Sequence, residues 1–300
     1  MNKKVSIIVI SYNSEKTILE TLNSILLQTY KNIEVIVSDD GSNDKTLEII
    51  ENWIKKNSIQ IKLIKSDKNN GVSKNINYGL KVSEGEWIKI IAADDILLPD
   101  CLEKNIKFIE KNPDVNICFS KSELFGDCLK ETMISPKNIE DFYLSPKEQN
   151  NSLKSKCFVP APTSFIKREI FNKYGFFDER IPMIEDWPYW LKITSLGEKL
   201  YFLDEVTVKY RVGETLSQHQ NKIVSEKGFK SKKLIYKYYL KDNINFILKW
   251  HYLLNFFITS IVVKLFNNTP NKISKGILKY SKILDPYSLF NYYKREKNEK

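Results

Sequence analysis

The feature that most constrains the fold of this chain is the regular alternation of two hydrophobic periods over its first 120 residues. Short apolar runs rich in Val and Ile are separated by stretches in which apolar residues recur at helical spacing. Strands that alternate with helices in this way are typical of βαβ units, in which the strands form a parallel sheet. The sequence therefore predicts an α/β fold with a Rossmann-like, mostly parallel sheet flanked by helices.

The predicted elements follow one another in a simple order. The predicted strands are "KVSIIVIS", "IEVIVSDDG", "IQIKLIKS", "EWIKIIAA" and "VNICFS". The first predicted helix, "SEKTILETLNSILLQ", begins with Ser14 as an expected N-cap. The rhythm is lost from 121 to about 160, where Pro136 and Pro146 and the absence of a clear period indicate a variable loop region.

A change in charge divides the chain near residue 219. Residues 220–300 contain 17 Lys and Arg but five Asp and Glu, whereas the remainder contains 30 basic and 32 acidic residues. The net charge of +10 therefore comes from the tail. We predict a globular domain at 1–219, composed of two halves at 1–120 and 121–219, followed by a basic, aromatic-rich helical tail at 220–300.

The tail contains a 14-residue apolar segment, 250–263, between Lys249 and Lys264. It is shorter than the roughly 20 residues that span a bilayer, so the flanking lysines and aromatic residues favour an interfacial helix on an anionic membrane surface. The alternative is a helix that packs against the globular domain. No helix-turn-helix, zinc-finger or RNP pattern accompanies the basic charge, so nucleic acid is not expected as a partner.

The N-terminal apolar run and the cysteines bear on location. The run in "MNKKVSIIVISYN" is about six residues, against the roughly 7 to 15 of a secretory signal, and we interpret it as a strand. The four cysteines follow no metal or disulfide spacing. We therefore predict a cytoplasmic protein, peripheral on the inner face of the cytoplasmic membrane.

An acidic pair follows the fourth predicted strand. The run from Trp87 to Ala93 is apolar except for Lys89 and leads directly into Asp94 and Asp95. Adjacent carboxylates repel one another and are costly to bury without partners, and a Mg²⁺ or Mn²⁺ ion would offset that repulsion. The alternative is a solvated turn before a helix. Because "SYN" and "SDDGS" end two other strands, and ligands of α/β sheets bind at the carboxyl ends of strands, the three loops are expected to converge.

These motifs, in this order, resemble those of the family 2 glycosyltransferases, which are inverting nucleotide-sugar enzymes with the GT-A fold. The resemblance covers roughly residues 3 to 215. It rests on "VSIIVISYNSEKTILETLNSILLQTYKNIEVIVSDDGSNDKT", "NNGVSKNINYGL", "GEWIKIIAADDILLP" and "GFFDERIPMIEDWPYW". The half at 1–120 would then bind the nucleotide-sugar, and the half at 121–219 would hold the acceptor and the catalytic base.

The resemblance implies roles for residues on the donor side. The family's nucleobase contacts correspond to Ser11, Tyr12 and Asp39 in this sequence. The acidic pair at the end of the fourth strand corresponds to Asp94, which contacts ribose and metal, and Asp95, which binds metal. The resemblance favours UDP as the nucleotide and Mn²⁺ or Mg²⁺ as the cofactor.

It also implies roles on the acceptor side. The family's catalytic base corresponds to Asp186, with Glu185 beside it. Trp187 and Trp190, with Tyr189 between them, are predicted to pack against the apolar faces of an acceptor sugar, and the alternative is that they belong to the core.

The sequence departs from the family pattern at several positions. Ala92 replaces an Asp found two positions before the pair in many relatives, so the DXD-like motif is a bare pair. Ile76 replaces an Arg, which leaves Lys74 as the basic residue for a contact with the diphosphate in that segment.

The end of the domain departs as well. Gly213 stands where relatives often carry a His that binds metal, and His219 is the nearest possible substitute. Arg211 either contacts phosphate or braces an acidic neighbour.

The function predicted from the resemblance is metal-dependent transfer of a hexosyl-type sugar to a hydroxyl of a glycan or lipid-linked acceptor. We expect this reaction in the synthesis of a bacterial cell-surface polysaccharide such as capsule or lipopolysaccharide. A nucleotidyltransferase is a second class, but "SYNSEKT" contains neither the Gly nor the Arg expected after its first strand. A third hypothesis is a catalytically degenerate module that binds nucleotide or glycan and anchors a membrane or a partner.

Overall fold

The computed structural model describes residues 3–57, 60–127, 129, 131–213, 222–280, 285 and 287. The chain divides into two compact units, Met1–Gly213 and Glu214–Lys300. The predicted boundary at 219 and the predicted role of His219 fall at residues outside the described ones.

The first part of the larger unit contains four parallel strands. They are β1 (Val5–Ser11), β2 (Ile33–Asp39), β3 (Ile61–Lys65) and β4 (Trp87–Ala92), arranged in the order β3-β2-β1-β4. Ser11 lies opposite Asp39, and Ile10 lies opposite Ala92. The carboxyl ends of β1, β2 and β4 therefore meet at one edge of the sheet, and the predicted parallel alternation is confirmed.

Four helices connect and cover these strands. They are α1 (Ile18–Leu26), α2 (Thr46–Asn57), α3 (Val72–Val82) and α4 (Cys101–Lys111). In α1, Ile18, Leu22 and Ile25 are almost fully buried, and each such side chain contributes about 1.5–3 kcal/mol by leaving water. Helical spacing places them on one face, as the sequence pattern predicts.

The predicted N-cap at Ser14 is wrong. Helix α1 begins at Ile18, and the Ser14 carbonyl accepts the amide hydrogens of Thr17 and Ile18 in a turn that precedes the helix. The Ser14 amide donates to Thr46 Oγ1 at 2.7 Å. This long-range bond fixes Ser14 in the loop instead of at the end of the helix.

Five further strands complete the sheet. They are β5 (Ile96–Leu97), β6 (Ile117–Phe125), β7 (Met133–Ser135), β8 (Phe165–Lys167) and β9 (Tyr201–Arg211). The order of strands is β3-β2-β1-β4-β8-β6-β9-β5, with β7 paired to β6. Strand β8 is antiparallel to both β4 and β6, so β6 and the parallel β9 run in the direction of β4. Strand β9 thus brings its end towards the acidic pair that follows β4.

The segment predicted as a variable loop contains regular structure. Besides β7 it forms α5 (Glu140–Tyr143) and α6 (Pro146–Leu153). Helix α6 begins with a capping box, in which Ser145 Oγ accepts the Glu148 amide and the Glu148 carboxylate accepts the Ser145 amide. The spacing Ser-x-x-Glu was the available sequence sign of this helix. Helices α7 (Arg168–Tyr174) and α8 (Asp186–Ser195) follow.

The smaller unit is helical in its described part, as predicted. It contains α9 (Glu226–Ile235), a π-helical segment (Tyr236–Leu240), α10 (Phe246–Leu265) and α11 (Lys272–Tyr280). Asn245 caps α10 by accepting the Leu248 amide at 2.9 Å. The apolar segment predicted at 14 residues is the middle of this 20-residue helix.

Helix α10 is long and apolar enough to cross a membrane by length and composition, with a mean hydropathy of 1.5. The length argument against a span is therefore wrong. A core helix of a soluble protein meets the same criterion when it is mostly buried, but 22% of the most apolar window of α10 is buried.

Candidate active site

Asp39 lies where the ends of β1 and β2 meet. Its Oδ2 accepts hydrogen bonds from Ser11 Oγ at 2.7 Å and Ser42 Oγ at 2.6 Å, and its Oδ1 accepts the Ser42 amide at 2.8 Å. Oδ1 keeps one acceptor position, because each carboxylate oxygen has two lone pairs. The side chain is fully buried, so in this conformation its remaining acceptor position is closed to solvent.

The loops after β1 and β2 are bonded to each other. The Asn13 amide donates to Ser42 Oγ at 2.8 Å, and the Asn43 amide donates to Asn13 Oδ1 at 2.9 Å. Asn13 has a φ of 49°, which Asn tolerates better than most residues. Tyr12, the predicted nucleobase contact, lies half-buried between Ser11 and this bridge.

The loop before α3 is fixed at the same edge. The Asp40 carboxylate accepts the amides of Asn70 at 2.8 Å and Gly71 at 2.9 Å. Gly71 has a φ of 94°, which favours glycine. Lys74 follows in the first turn of α3, half-buried, with its Nζ 3.5 Å from Asn70 Oδ1. Asp40 was not predicted as a site residue, and the structure gives it the role of holding this loop.

Arg211 braces the acidic pair after β4. Its amide donates to Asp95 Oδ1 at 2.9 Å, and its Nε donates to the Asp94 carbonyl at 2.9 Å. The guanidinium also pairs with Glu20 and lies 4.4 Å from the centre of the Phe125 ring. Of the two predicted roles of Arg211, the structure therefore shows the bracing one.

The acidic pair is electrostatically strained. Burial raises the pKa of Asp94 and raises that of Asp95 well above its usual range, and the charge of Asp94 raises the Asp95 pKa further. Arg211 and the buried Lys89 act in the opposite direction but more weakly. A divalent cation would favour the ionised form of both groups.

The residues present fit a shared Mg²⁺ or Mn²⁺ site. The pair supplies hard oxygen donors, which such ions prefer. Within the described part of the chain, no three His, Cys, Asp or Glu side chains form a metal-binding group, and Gly213 has no side chain to contribute. Asp94 and Asp95 would therefore hold the ion together with phosphate oxygens and water.

A second acidic pair stands at the start of α8. Glu185 precedes the helix and Asp186 is its first residue, where the helix dipole favours negative charge. Burial raises the pKa of both groups, and the charge of Asp186 raises that of Glu185 further. The Cys157 thiol lies 3.9 Å from Asp186 Oδ2. Such a pair titrates as a unit and accepts a proton more readily than an ordinary carboxylate.

The predicted acceptor contacts of Trp187 and Trp190 are wrong, because both rings lie in the core. Trp187 is 7% exposed, and its Nε1 donates to the Leu153 carbonyl at 2.8 Å. Trp190 is 1% exposed and packs edge-on against Phe119 at 5.0 Å. A sugar ring cannot stack on either indole.

Tyr210 is a site residue that the sequence reasoning missed. Burial, followed by the charges of four carboxylates, raises the pKa of its phenol to about 12. These carboxylates are the two acidic pairs, Asp94 with Asp95 and Glu185 with Asp186. The charges of both pairs therefore act on one half-buried phenol. The position of Tyr210 beside Arg211 in "YRVG" was the sequence feature that could have indicated its place in the site.

The chain also matches a known protein family. The sequence profile described as "Glycosyl transferase family 2" matches residues 6–175. The chain belongs to glycosyltransferase family 2. The identification of this family from the sequence motifs is confirmed.

Curated glycosyltransferases are similar over most of the chain. An uncharacterized glycosyltransferase of Haemophilus influenzae is 32% identical over 241 residues, 79% of this chain and 74% of that protein. The Escherichia coli enzyme "UDP-Glc:alpha-D-GlcNAc-diphosphoundecaprenol beta-1,3-glucosyltransferase WfaP" is 34% identical over 211 residues, 69% of this chain and 77% of that protein.

Solved structures show the same fold. S. aureus TarS 1–349 in complex with UDP-GlcNAc has a TM-score of 0.61 at 22% identity, with 93% of this chain and 79% of that chain covered. A mannosyltransferase from Pyrobaculum calidifontis, in complex with GDP-Man and Mn²⁺, has a TM-score of 0.56 at 20% identity, covering 96% and 72% of the two chains. The GT-A fold predicted for this glycosyltransferase is confirmed.

Proposed function

We propose that this chain is an inverting, metal-dependent glycosyltransferase that moves a sugar from a UDP-sugar to a hydroxyl of a lipid-linked glycan. The observation that carries the proposal is an acidic pair after β4 that Arg211 braces, together with a second acidic pair at the start of α8; the charges of both pairs raise the pKa of Tyr210. One pair suits a metal that holds a diphosphate, and the other suits the removal of a proton. Displacement at an anomeric carbon requires both groups.

The first step is donor binding at the ends of β1, β2 and β4. Ser11, Tyr12 and Asp39 would hold the nucleobase, and Lys74 lies on the side of the diphosphate. Asp94 would contact ribose and, with Asp95, hold the metal. When bound, the metal neutralises charge on the leaving diphosphate, which is worth several kcal/mol of transition-state stabilisation.

The second step is transfer, in which the acceptor oxygen forms a bond to the anomeric carbon while the bond to the phosphate oxygen breaks. Asp186 takes the proton of the acceptor hydroxyl, and the nucleoside diphosphate leaves with the electron pair of the broken bond. A single displacement inverts the anomeric configuration. General-base help of this kind contributes about 10² to 10⁴ in rate, and the raised pKa of Asp186 improves its affinity for the proton.

Two relatives support the choice of donor and acceptor. The name of WfaP specifies UDP-Glc as donor and a GlcNAc-diphosphoundecaprenol as acceptor, and the TarS structure contains UDP-GlcNAc. The Mn²⁺ in the Pyrobaculum mannosyltransferase supports a metal at the acidic pair. With a lipid-linked acceptor, the reaction would take place at the cytoplasmic face of the membrane, in the synthesis of a surface polysaccharide.

The tail supports this location with an exposed apolar face on α10. Phe246, Trp250, Leu253 and Phe257 are 48–77% exposed and recur every three or four residues, which places them on one side of the helix. The unit around them carries the basic excess of the chain. An apolar face in a basic unit matches an anionic bilayer surface, which attracts basic residues and accepts apolar side chains.

Vesicle sedimentation tests the membrane proposal. Phe257→Glu should reduce binding to anionic phosphatidylglycerol vesicles by about tenfold, whereas Leu196→Glu, at an exposed leucine of the catalytic unit, should not change it. Equal binding by both variants, or equal binding of wild type to uncharged phosphatidylcholine vesicles, would contradict the proposal.

Product analysis tests the catalytic proposal. The full chain with Mn²⁺ is offered UDP-glucose, UDP-galactose and the UDP-N-acetylhexosamines together with undecaprenyl-diphosphate-linked sugars, and mass spectrometry identifies extended lipids. We expect product with one of these donors and none with Asp186→Asn. A folded chain that binds UDP but extends no acceptor would favour the degenerate binding module.

A further inference from the structure

Trp190 carries a buried hydrogen-bond donor that the fold leaves without a partner. The residue is 1% exposed, and its Nε1 makes no hydrogen bond of normal geometry. A buried donor without an acceptor costs about 1–3 kcal/mol, so native proteins keep few of them and those few call for an explanation. Packing alone does not supply one, because a phenyl ring would fill apolar space without this penalty.

The neighbouring ring contacts hold the indole in a fixed orientation. Trp190 meets Phe119 edge-on at 5.0 Å and Tyr189 edge-on at 5.5 Å. Helical geometry places Trp190 on the same face of α8 as Asp186, four residues earlier. The indole N–H lowers the pKa of the Asp186 carboxylate, against the burial that raises it, although the two groups form no hydrogen bond of normal geometry.

Trp187 provides the contrast within the same helix. Its indole N–H donates to the Leu153 carbonyl at 2.8 Å, so its donor is satisfied by the backbone. Both tryptophans are buried, but the N–H of Trp190 has no backbone acceptor, and Trp190 is the one that lies four residues after Asp186, on the same helical face.

We propose that Trp190 is a positioning residue for Asp186, with its indole N–H donating to one carboxylate oxygen and leaving the other to receive the acceptor proton. The inference rests on the proposed function, in which Asp186 is the base. The hydrogen bond reaches normal geometry when the acceptor occupies the site, since catalytic hydrogen bonds often tighten only in the complex.

Among the residues that the structure describes, three titratable groups act on Asp186 from different segments. Glu185 precedes α8, the Cys157 thiol lies on the segment after α6, and the Tyr210 phenol lies on β9. The indole itself does not titrate between pH 5 and 9. A change in pH profile after loss of the N–H therefore reports on the Asp186 carboxylate and not on a new titrating group.

The test compares Trp190→Phe with Trp187→Phe in the full chain, using turnover as a function of pH at saturating donor and acceptor. Both variants remove an indole N–H from the same helix. Trp190→Phe should lower kcat about tenfold and move its acidic limb to higher pH, with the KM of the donor unchanged. Trp187→Phe should lower the melting temperature and leave the position of the acidic limb unchanged.

An isosteric replacement separates the N–H from packing. Benzothienylalanine at position 190 keeps the shape of the indole and replaces the N–H by sulfur, so it should reproduce the Trp190→Phe profile in a chain that is packed as in wild type. An acidic limb at the wild-type position in this variant would overturn the inference. A limb that moves equally in Trp187→Phe would also overturn it.

Asp186→Asn distinguishes the failure of this inference from failure of the proposed function. If the Asp186→Asn variant has the wild-type rate, Asp186 is not the base, and both the proposed function and the inference about Trp190 are wrong. If Asp186→Asn is inactive and the position-190 variants keep the wild-type profile, only the role of Trp190 falls.

Discussion

The two acidic pairs have the same chemistry but different surroundings. Asp94 and Asp95 are held by both the main chain and the side chain of Arg211. For Glu185 and Asp186, the described residues provide no ion pair; a thiol and an indole lie beside Asp186. A braced pair near a fixed cation is suited to hold a metal in one place. Burial raises the pKa of both pairs, but no cation opposes that rise at Glu185 and Asp186, and this suits the second pair to exchange protons.

The largest expected effect comes from removing the proton acceptor. Asp186→Asn should lower turnover by about 10² to 10⁴, because the amide cannot take the acceptor proton. UDP binding should be retained, since this pair does not hold the metal. Steady-state rates and calorimetric titration with UDP measure the two effects.

Asp178→Asn is the matched control, because Asp178 lies in the same segment and forms an ion pair with Arg180 at 2.7 Å. If Asp186→Asn lost UDP binding as well as turnover, the division of labour between the pairs would be wrong.

A second effect should follow from loosening the braced pair. Arg211→Gln removes the bond to the Asp94 carbonyl and the pairing with Glu20. Loss of such a supporting contact should weaken Mn²⁺ affinity about 10- to 100-fold, as measured by the Mn²⁺ dependence of turnover.

Lys209→Gln provides the control on the same strand, where Lys209 pairs with Glu123 at 3.2 Å. Unchanged Mn²⁺ dependence in Arg211→Gln would show that the brace does not position the metal ligands.

Tyr210 links the two pairs, so its loss should affect both modestly. Because the pKa of its phenol is about 12, the phenol is neutral at working pH and adds no negative charge beside the carboxylates. Tyr210→Phe should lower kcat roughly three- to tenfold and move the acidic limb of the pH profile upwards. Tyr201→Phe, at the start of the same strand, is the control and should change neither quantity. If Tyr210→Phe left the pH profile unchanged, Tyr210 would not be a site residue.

The smallest expected effect is on how the free energy of unfolding depends on pH when no metal is bound. The pKa of Asp95 is raised in the folded chain, so its contribution to stability is present below the unfolded pKa of about 3.9 and is lost as the pH rises through the folded pKa. Relative to wild type, Asp95→Asn should therefore gain about 1 kcal/mol or more between pH 4 and pH 8 in EDTA. Urea unfolding measures this difference, and a difference that is constant with pH would contradict the strained state of the pair.

Much of the parallel half was predictable, because its elements depend on local period. Local hydrophobic periodicity is enough to predict these elements, which are strands β1, β2, β3 and β4 and the helices between them. Ser14 was mispredicted because its fate depends on Thr46, more than 30 residues away. The two-residue strand β5 has no period of its own and exists through its pairing with β9.

The sequence motifs of the candidate site could be predicted, but the contacts that its side chains make could not. Asp95 and Asp186 were found through recognisable acidic pairs. No sequence pattern indicates that Lys89 is fully buried, with its Nζ 2.8 Å from the Pro162 carbonyl. The tryptophans of "EDWPYW" were mispredicted because helical spacing alone does not tell which face of α8 meets the core. Tyr210 depends on the parallel pairing of β9 with β6, a contact between distant segments.

The most direct test of the central claim is the thermal stabilisation of the full chain by UDP, with and without Mn²⁺, in wild type and Asp95→Asn. A ligand that binds the native state raises the melting temperature by mass action. The assignment of Asp95 to the metal predicts a rise in wild type that requires Mn²⁺ and is lost in Asp95→Asn. A rise of equal size in Asp95→Asn, or a rise in wild type that is independent of Mn²⁺, would contradict it.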